Sequence, residues 1–163
     1  MLRDFIKCCI YLIIVGIAGF FAGRILPKNS FTGKHFPFKC FKFEKNGKIY
    51  DKLKVRRWQA KMPDMSRIFK KLMPAKKFAE LKNDAAKLPA MIRETCVAEF
   101  IHDMLFILGF GCVFICSGVM GWIVSVIYNL FGNLPFIIIQ RYNRPRLIAC
   151  QKAAQRAGLA AAQ

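Results

Sequence analysis

The sequence contains no charged side chain between Met104 and Gln140. As one straight helix this run would extend about 55 Å, whereas the hydrocarbon core of a bilayer is about 30 Å thick. The run therefore either crosses once with a long overhang or enters the membrane and returns. Gly118 and Gly121 near its middle, and Asn133 in its second half, favour the return. We predict a helical hairpin whose two polar ends lie at the same membrane surface.

Acidic residues are scarce, since nine Asp and Glu stand against 27 Lys and Arg and leave a net charge of +18. A soluble nucleic-acid-binding protein matches this charge but not the long uncharged run. A protein whose basic loops lie against anionic lipid matches both the charge and the 55% of hydrophobic residues. The composition therefore predicts a membrane protein, with a small nucleic-acid-binding membrane protein as a weaker alternative.

Cysteine pairs with the spacing of a metal site are also missing. The seven cysteines include no Cys-x-x-Cys pair, and four of them lie in apolar segments: Cys8, Cys9, Cys112 and Cys116. Neither a disulfide framework nor a zinc site is indicated, because buried thiols of this kind usually pack as small hydrophobic groups. We expect no metal site.

The chain is predicted to be a single all-α domain embedded in the membrane over residues 1–163. Residues 5–23 form an N-terminal membrane segment, interpreted as a retained anchor, with a cleaved signal peptide as the alternative. The rest divides into a basic cytoplasmic and interfacial helical region at 24–93, the hairpin at 94–140, and a basic motif and tail at 141–163. From Arg24 to Glu94, 20 Lys and Arg against six Asp and Glu leave about +14. The positive-inside rule therefore places the basic region and the C-terminus in the cytoplasm.

The basic region mixes aromatic and cationic side chains. Phenylalanines alternate with lysines from Phe31 to Phe43, as expected for rings at the depth of the lipid headgroups or for an ordinary loop with aromatic plugs. Residues 48–61, with Trp58 near the end, predict one basic helix in the membrane interface, and RNA binding is its alternative. Another helix is predicted between Pro74 and Pro89, and Pro89 suits the first turn of the helix that follows.

Acid–base chemistry is predicted where the chain enters the uncharged run. Glu99 precedes His102 by three positions, so the two side chains share one face of a helix. A carboxylate that holds an imidazole raises its basicity and fixes which nitrogen is free. We predict that this pair removes a proton from a hydroxyl group; an ordinary solvated helix end is the alternative. Asp103 points about 100° away and is a weaker partner, and His35 has no acidic neighbour.

A second polar motif follows the uncharged run: Gln140-Arg141-Tyr142-Asn143-Arg144-Pro145-Arg146. Three arginines directly after a membrane helix are often only positive-inside residues. The interposed amides and phenol go beyond that need. Guanidinium groups suit phosphate or carboxylate, and amides suit sugar hydroxyls or a developing oxyanion.

Four stretches of the chain, in order over residues 36–147, resemble one known family. They are Phe38-Lys39-Cys40-Phe41-Lys42-Phe43-Glu44-Lys45-Asn46-Gly47-Lys48, then Val55-Arg56-Arg57-Trp58 with Met62-Pro63-Asp64, then Ile92-Arg93-Glu94-Thr95 through Ala98-Glu99-Phe100-Ile101-His102, and finally Asn133 to Leu147. They are similar to the bacterial glycosyl-4,4'-diaponeurosporenoate acyltransferase family. That family places a fatty acyl group on the glucose of a carotenoid glycoside at the cell membrane, in the last step of staphyloxanthin assembly.

The resemblance implies a multi-pass membrane O-acyltransferase that needs no cofactor and uses acyl-CoA or an acyl-carrier protein as donor. Glu99 and His102 are the predicted catalytic residues. The arginines of the second motif would hold donor phosphates, its amides would stabilise the oxyanion, and Trp58 and Asp64 would place the sugar. The predicted substrate-binding residues are Trp58, Asp64, Gln140, Arg141, Tyr142, Asn143, Arg144 and Arg146. The alternative function is a non-catalytic accessory protein that binds anionic lipid or a partner through its basic loop.

Overall fold

A computed structural model describes residues 2–62, 85–116 and 118–160. These residues contain no β-strand, and three helical stretches among them are long and apolar enough to cross a membrane: Leu2–Ile25, Leu88–Ile115 and Val119–Gly158. The predicted all-α membrane architecture, with an N-terminal membrane helix, is therefore confirmed. The helix predicted after Pro74 lies mostly outside the described residues, as does Asp64.

Helix α1 (Leu2–Ile25) exposes most of its apolar side chains, as a helix surrounded by lipid does. Two contacts fix it against the hairpin. The Tyr11 hydroxyl donates to the Leu108 carbonyl at 2.9 Å. The thiols of Cys8 and Cys112 each face the other residue's backbone oxygen, at 3.7 and 4.0 Å. The apolar cysteines thus pack between helices, and all seven cysteines are free thiols.

The basic region forms short helical pieces rather than a long helix. Helix α2 (Ile49–Lys52) and helix α3 (Val55–Trp58) are separated at Lys54, whose φ of +52° is left-handed. The prediction of one helix over residues 48–61 was therefore wrong, because a left-handed residue interrupts the right-handed hydrogen-bond series. Short 3₁₀ turns complete the described part of this region: Lys28–Ser30, Lys42–Gly47, Gln59–Lys61 and Ala85–Lys87.

The phenylalanines of this region face two ways. The Phe31 ring packs 5.3 Å from the Phe38 ring and 5.7 Å from the Phe100 ring, centroid to centroid, over the buried Cys96. Phe36, in contrast, is 81% exposed. The inward rings attach the loop to the hairpin by apolar burial, and the outward ones leave an aromatic surface.

The hairpin begins with α4 (Leu88–Gly109), which carries Pro89 in its first turn as predicted. It continues through α5 (Gly111–Ile115), turns, and returns through α6 (Val119–Ile127), a π-helical segment (Tyr128–Asn133) and α7 (Leu134–Ala160). At the turn, Gly118 has a φ of +99°, which a side chain would strain. The predicted turn near Gly118 is confirmed.

The two legs of the hairpin lie side by side, so that residues at its polar ends meet. Leu88 and Ile92 of α4 form a buried cluster with Leu147 of α7, and Glu99 contacts Arg141 and Arg144. Glu99 is also about 24 Å along a helix from Ile115 beside the turn, which approaches the thickness of the hydrocarbon core. If the turn lies at one membrane surface, this distance places the polar ends near the opposite surface.

Candidate functional site

Two carboxylates and two guanidinium groups alternate where the loop meets the hairpin. Glu44 binds Arg141 through Nε at 2.5 Å and Nη2 at 2.9 Å, and Arg141 Nη1 binds Glu99 at 2.5 Å. The other oxygen of Glu99 binds Arg144. Glu44, Glu99 and Arg144 are at most 3% exposed. The four charges therefore neutralise one another inside the protein; we call these residues the charged cluster.

Arg144 directs all its nitrogen atoms into the protein. Its Nε donates to the Thr95 hydroxyl at 3.0 Å, Nη2 donates to the Thr95 carbonyl at 3.0 Å, and Nη1 donates to the Phe38 carbonyl at 2.7 Å. One side chain thus joins α7 to α4 and to the loop that carries the phenylalanines from Phe31 to Phe43. The planar guanidinium makes this possible, because its donors point in fixed, divergent directions.

Glu44 anchors the loop from the other side. It accepts hydrogen bonds from the Tyr50 hydroxyl at 2.5 Å and the Phe41 backbone N–H at 2.6 Å, besides those from Arg141. Burial alone would raise the pKa of Glu44, but these hydrogen bonds outweigh it and lower the pKa to about 2. Burial, and then the neighbouring carboxylate, raises the pKa of Tyr50. Glu44 is therefore ionised and Tyr50 neutral at physiological pH.

His102 lies one turn deeper along α4 than Glu99. Its Nδ1 is 3.2 Å from Oδ1 of Asn133, and its ring stacks on Phe136 with centroids 4.7 Å apart and planes 5° from parallel. Both carboxylate oxygens of Glu99 are bound by Arg141 and Arg144 instead. The side chain that hydrogen-bonds the imidazole is thus the amide of Asn133, where the sequence predicted Glu99.

A surface cavity of about 410 Å³ opens beside the charged cluster, between α2, α3 and α7. Arg146 binds Asp51 at 2.8 Å across it and lies over the Tyr142 ring, 3.5 Å from the centroid. The Asn143 amide donates to the Gln59 side chain at 3.2 Å. The lining residues are Asp51, Arg56, Gln59, Tyr142, Asn143 and Arg146. A cavity with both charge signs and two amides suits a polar ligand.

Comparison with known proteins identifies the family of this chain. The family model described as glycosyl-4,4'-diaponeurosporenoate acyltransferase matches residues 34–153. The chain belongs to this family. Relatives of that name from Staphylococcus aureus are 33% identical over 93% of this chain and 90% of the relative (strain bovine RF122 / ET3-1) and 32% identical over 97% and 96% (strain MRSA252). No solved structure matches the chain.

The acyltransferase family match covers every predicted site residue. Asp64 lies outside the described residues, and the fold distributes the others over three places. Arg141 and Arg144 lie in the charged cluster. Tyr142, Asn143 and Arg146 line the cavity. Beside the cavity, the Trp58 indole N–H donates to the Leu53 carbonyl at 3.0 Å. Gln140 is half-buried on α7, one turn from Phe136 and hence on the side of the helix that faces His102.

Sequence reasoning missed several residues that the fold brings into these places. Glu44 offered a signal, because it is the only acidic residue between Arg24 and Tyr50. Asn133 was interpreted as a disturbance of the helix, although an amide in an uncharged membrane run is costly without a partner. Thr95 and Gln59 gave no signal. In the part of the chain that the structure describes, no group of His, Cys, Asp or Glu is arranged to hold a metal ion.

Proposed function

We propose that the protein is a membrane-bound acyltransferase that moves a fatty acyl group onto a sugar hydroxyl of a membrane glycolipid, with a carotenoid glycoside as the candidate acceptor. The family membership and the activity for which the staphylococcal relatives are named support the reaction class. The observation that carries the mechanism is the placement of His102: an imidazole held by a neutral amide and a stacked ring, one helical turn below the charged cluster.

His102 is the general base in this proposal. It removes the proton from the acceptor hydroxyl as the oxygen attacks the acyl carbonyl of a thioester donor. The tetrahedral intermediate then collapses, the carbon–sulfur bond breaks, and the imidazolium returns the proton to the leaving thiolate. The oxyanion needs a nearby hydrogen-bond donor, and the amide of Gln140 is suited because it lies on the same side of α7 as Phe136.

Glu99 acts on this chemistry through packing in the proposal. Because it binds both Arg141 and Arg144, it holds α7 against α4 and so keeps Phe136 in contact with the imidazole. Its removal would displace His102, leave the buried Arg144 without this carboxylate and leave Arg141 with Glu44 alone. Glu99 is thus a positioning residue, and its effect on His102 runs through the helix pair.

The polar head of the acyl donor is proposed to occupy the cavity. The guanidinium nitrogens of Arg141 and Arg144 donate to protein oxygens. Arg56, in contrast, faces the cavity and has no partner in the part of the chain that the structure describes. Arg56 and Arg146 would bind phosphate, and Asn143 and Gln59 would bind the amides of the donor arm. Asn143 is about 10 Å along α7 from Phe136, a distance that an extended pantetheine arm can span.

The donor would come from the cytoplasm. The excess of basic residues between Arg24 and Glu94 favours that side of the membrane for the loop and for the cavity that it lines. A reporter fused after Lys87 in intact cells tests this, using one reporter that is active in the cytoplasm and one that is active outside. Activity of the external reporter alone would exclude a cytoplasmic acyl donor.

The decisive experiment measures transfer of a labelled acyl group from acyl-CoA to a glucosyl lipid by purified protein in lipid nanodiscs. We expect His102→Ala to lower turnover by about 10² to 10⁴, the usual contribution of a general base. The matched control is His35→Ala, because His35 is the other histidine and is exposed in the loop. Turnover by His102→Ala at the wild-type rate would exclude His102 as the general base, whereas no acyl transfer by the wild-type protein would favour the non-catalytic accessory function.

A further inference from the structure

We propose that Asn133, held in turn by Asn129, fixes the tautomer of His102 so that Nδ1 carries the proton and Nε2 is the basic nitrogen. This inference deepens the proposed function and rests on it only for the use of Nε2 in catalysis. The tautomer itself follows from hydrogen bonds inside the hairpin, and it can be measured without any substrate.

The inference starts from three polar side chains in the uncharged first part of the second leg of the hairpin, formed by α6 and the π-helical segment. Ser125, Asn129 and Asn133 follow one another at intervals of four residues and are 0%, 3% and 1% exposed. Residues four apart share one side of a helix. Polar groups buried in a membrane span are costly and rare. Their alignment on one side, from which Asn129 and Asn133 meet α4, therefore indicates a use inside the protein.

The hydrogen bonds along this side run in one direction. The Asn133 amide Nδ2 donates to Oδ1 of Asn129 at 3.1 Å, which leaves Oδ1 of Asn133 for the imidazole. That oxygen is 3.2 Å from His102 Nδ1. A carbonyl oxygen can only accept, so Nδ1 must donate and carry a proton. In the neutral imidazole Nε2 then has a free lone pair.

The end of the series is anchored by close packing against α4. A Cβ atom at Gly109 would lie 2.7 Å from Oδ1 of Asn129 and 2.8 Å from the Tyr128 ring, so a larger residue would force these side chains away from α4. Asn129 Nδ2 and the Ser125 hydroxyl are buried and have no hydrogen-bond partner in the described structure. Ser125 thus lies on the same side as the asparagines but outside the hydrogen-bond series.

Two contacts together define the imidazole. The parallel Phe136 ring fixes the plane of His102, and the Asn133 oxygen fixes its rotation within that plane. A base that is fixed in position and in tautomer loses little on reaching the geometry of proton transfer. Asn133 is accordingly a positioning residue in the second leg, and Asn129 positions it.

The test is nitrogen NMR of the imidazole in protein labelled with ¹⁵N-histidine and held in nanodiscs. The chain has only two histidines, so His35→Gln leaves His102 as the single signal. At a pH at which the ring is neutral, we expect a protonated Nδ1 and an unprotonated Nε2. A protonated Nε2 would overturn the proposal, because it would mean that the asparagine amides run in the opposite direction.

Variants separate positioning from folding. Asn133→Leu should shift the ring toward the Nε2-protonated tautomer and lower kcat by at least about tenfold, within the contribution of a general base, with little change in KM. Asn133→Asp retains an acceptor and should keep the wild-type tautomer. Ser125→Ala is the matched control and should change neither readout. An unchanged tautomer in Asn133→Leu would contradict the assignment.

The two proposals can fail separately. If the tautomer is as proposed but His102→Ala turns over normally, the general-base mechanism fails while the role of Asn133 in fixing the ring stands. If Nε2 proves to be protonated but His102→Ala is inactive, the histidine is essential and Asn133 does not prepare it.

Discussion

Two polar regions lie one helical turn apart on the hairpin, and they differ in charge and in what they leave free. In the charged cluster, Glu44 binds Arg141 and Glu99 binds both Arg141 and Arg144, and every guanidinium nitrogen of the two arginines has a partner. In the second region, which we call the amide series (His102, Asn133, Asn129), no member is a carboxylate or a guanidinium group, and one imidazole nitrogen has no part in the series.

The difference follows from the cost of burying charge. An unpaired ion near the membrane interior is destabilising by several kcal/mol, so each buried charge here is matched by an opposite one. A group that is fully paired is poorly placed to bind a substrate. The charged cluster therefore serves mainly to hold the loop and α7 on α4, and the proposed chemistry is left to the uncharged region.

The largest expected effect comes from removing the carboxylate shared by both arginines. Glu99→Leu leaves Arg141 without one partner and Arg144 without the one acidic partner that the described residues give it, and should lower the free energy of unfolding by about 3 to 5 kcal/mol. Unfolding in mixed micelles measures this. The control is Asp51→Asn, which breaks a more exposed pair with Arg146 and should cost less than about 1 kcal/mol. Equal losses in the two variants would contradict the comparison.

A charge-conserving change in the charged cluster should have a smaller but clear effect. Arg144→Lys keeps the charge but cannot reach Thr95, Phe38 and Glu99 at once, so buried acceptors lose their donor. We expect a loss of about 1 to 3 kcal/mol in unfolding free energy. Arg146→Lys, in the more exposed pair, should stay near wild type. If Arg144→Lys left the unfolding free energy unchanged, charge alone would hold the helices together.

The pH dependence of stability tests Glu44. Its pKa in the folded protein is about 2, below the ordinary value of 4.5, so the folded state binds fewer protons than the unfolded state between these values. The stabilisation by Glu44 is therefore complete above about pH 4.5 and is lost as the pH falls toward 2. The unfolding midpoint should drop across this window in the wild type and less steeply in Glu44→Gln. Parallel curves would contradict the assignment.

The smallest expected effect lies at the cavity, outside both polar regions. Arg56→Ala should raise KM for acyl-CoA by about tenfold, the value of roughly one charge-assisted hydrogen bond, and leave kcat and stability nearly unchanged. Arg156→Ala, an exposed arginine of the C-terminal tail, is the control. A fall in kcat without a change in KM would show that the acyl donor does not bind in this cavity.

Much of the architecture could be predicted from the sequence because lipid imposes few solutions on a long uncharged run. A segment without charge must satisfy its backbone as a helix, and its excess length with glycines near the middle made it return at Gly118. The aligned Glu99 and His102 and the arginine motif could also be identified, since helical spacing places side chains on known faces. The sequence likewise determined which residue types were available for chemistry.

Only the tertiary structure decided which of these side chains contact one another. Glu99 shares a helix face with His102, yet two guanidinium groups arriving from α7 bind a carboxylate more strongly than a neutral imidazole does. His102 instead meets Asn133, 31 residues away, and Glu44 reaches Arg141 across 97 residues. Helical periodicity describes neighbours within an element, whereas contacts between elements depend on how the loop and the two legs pack.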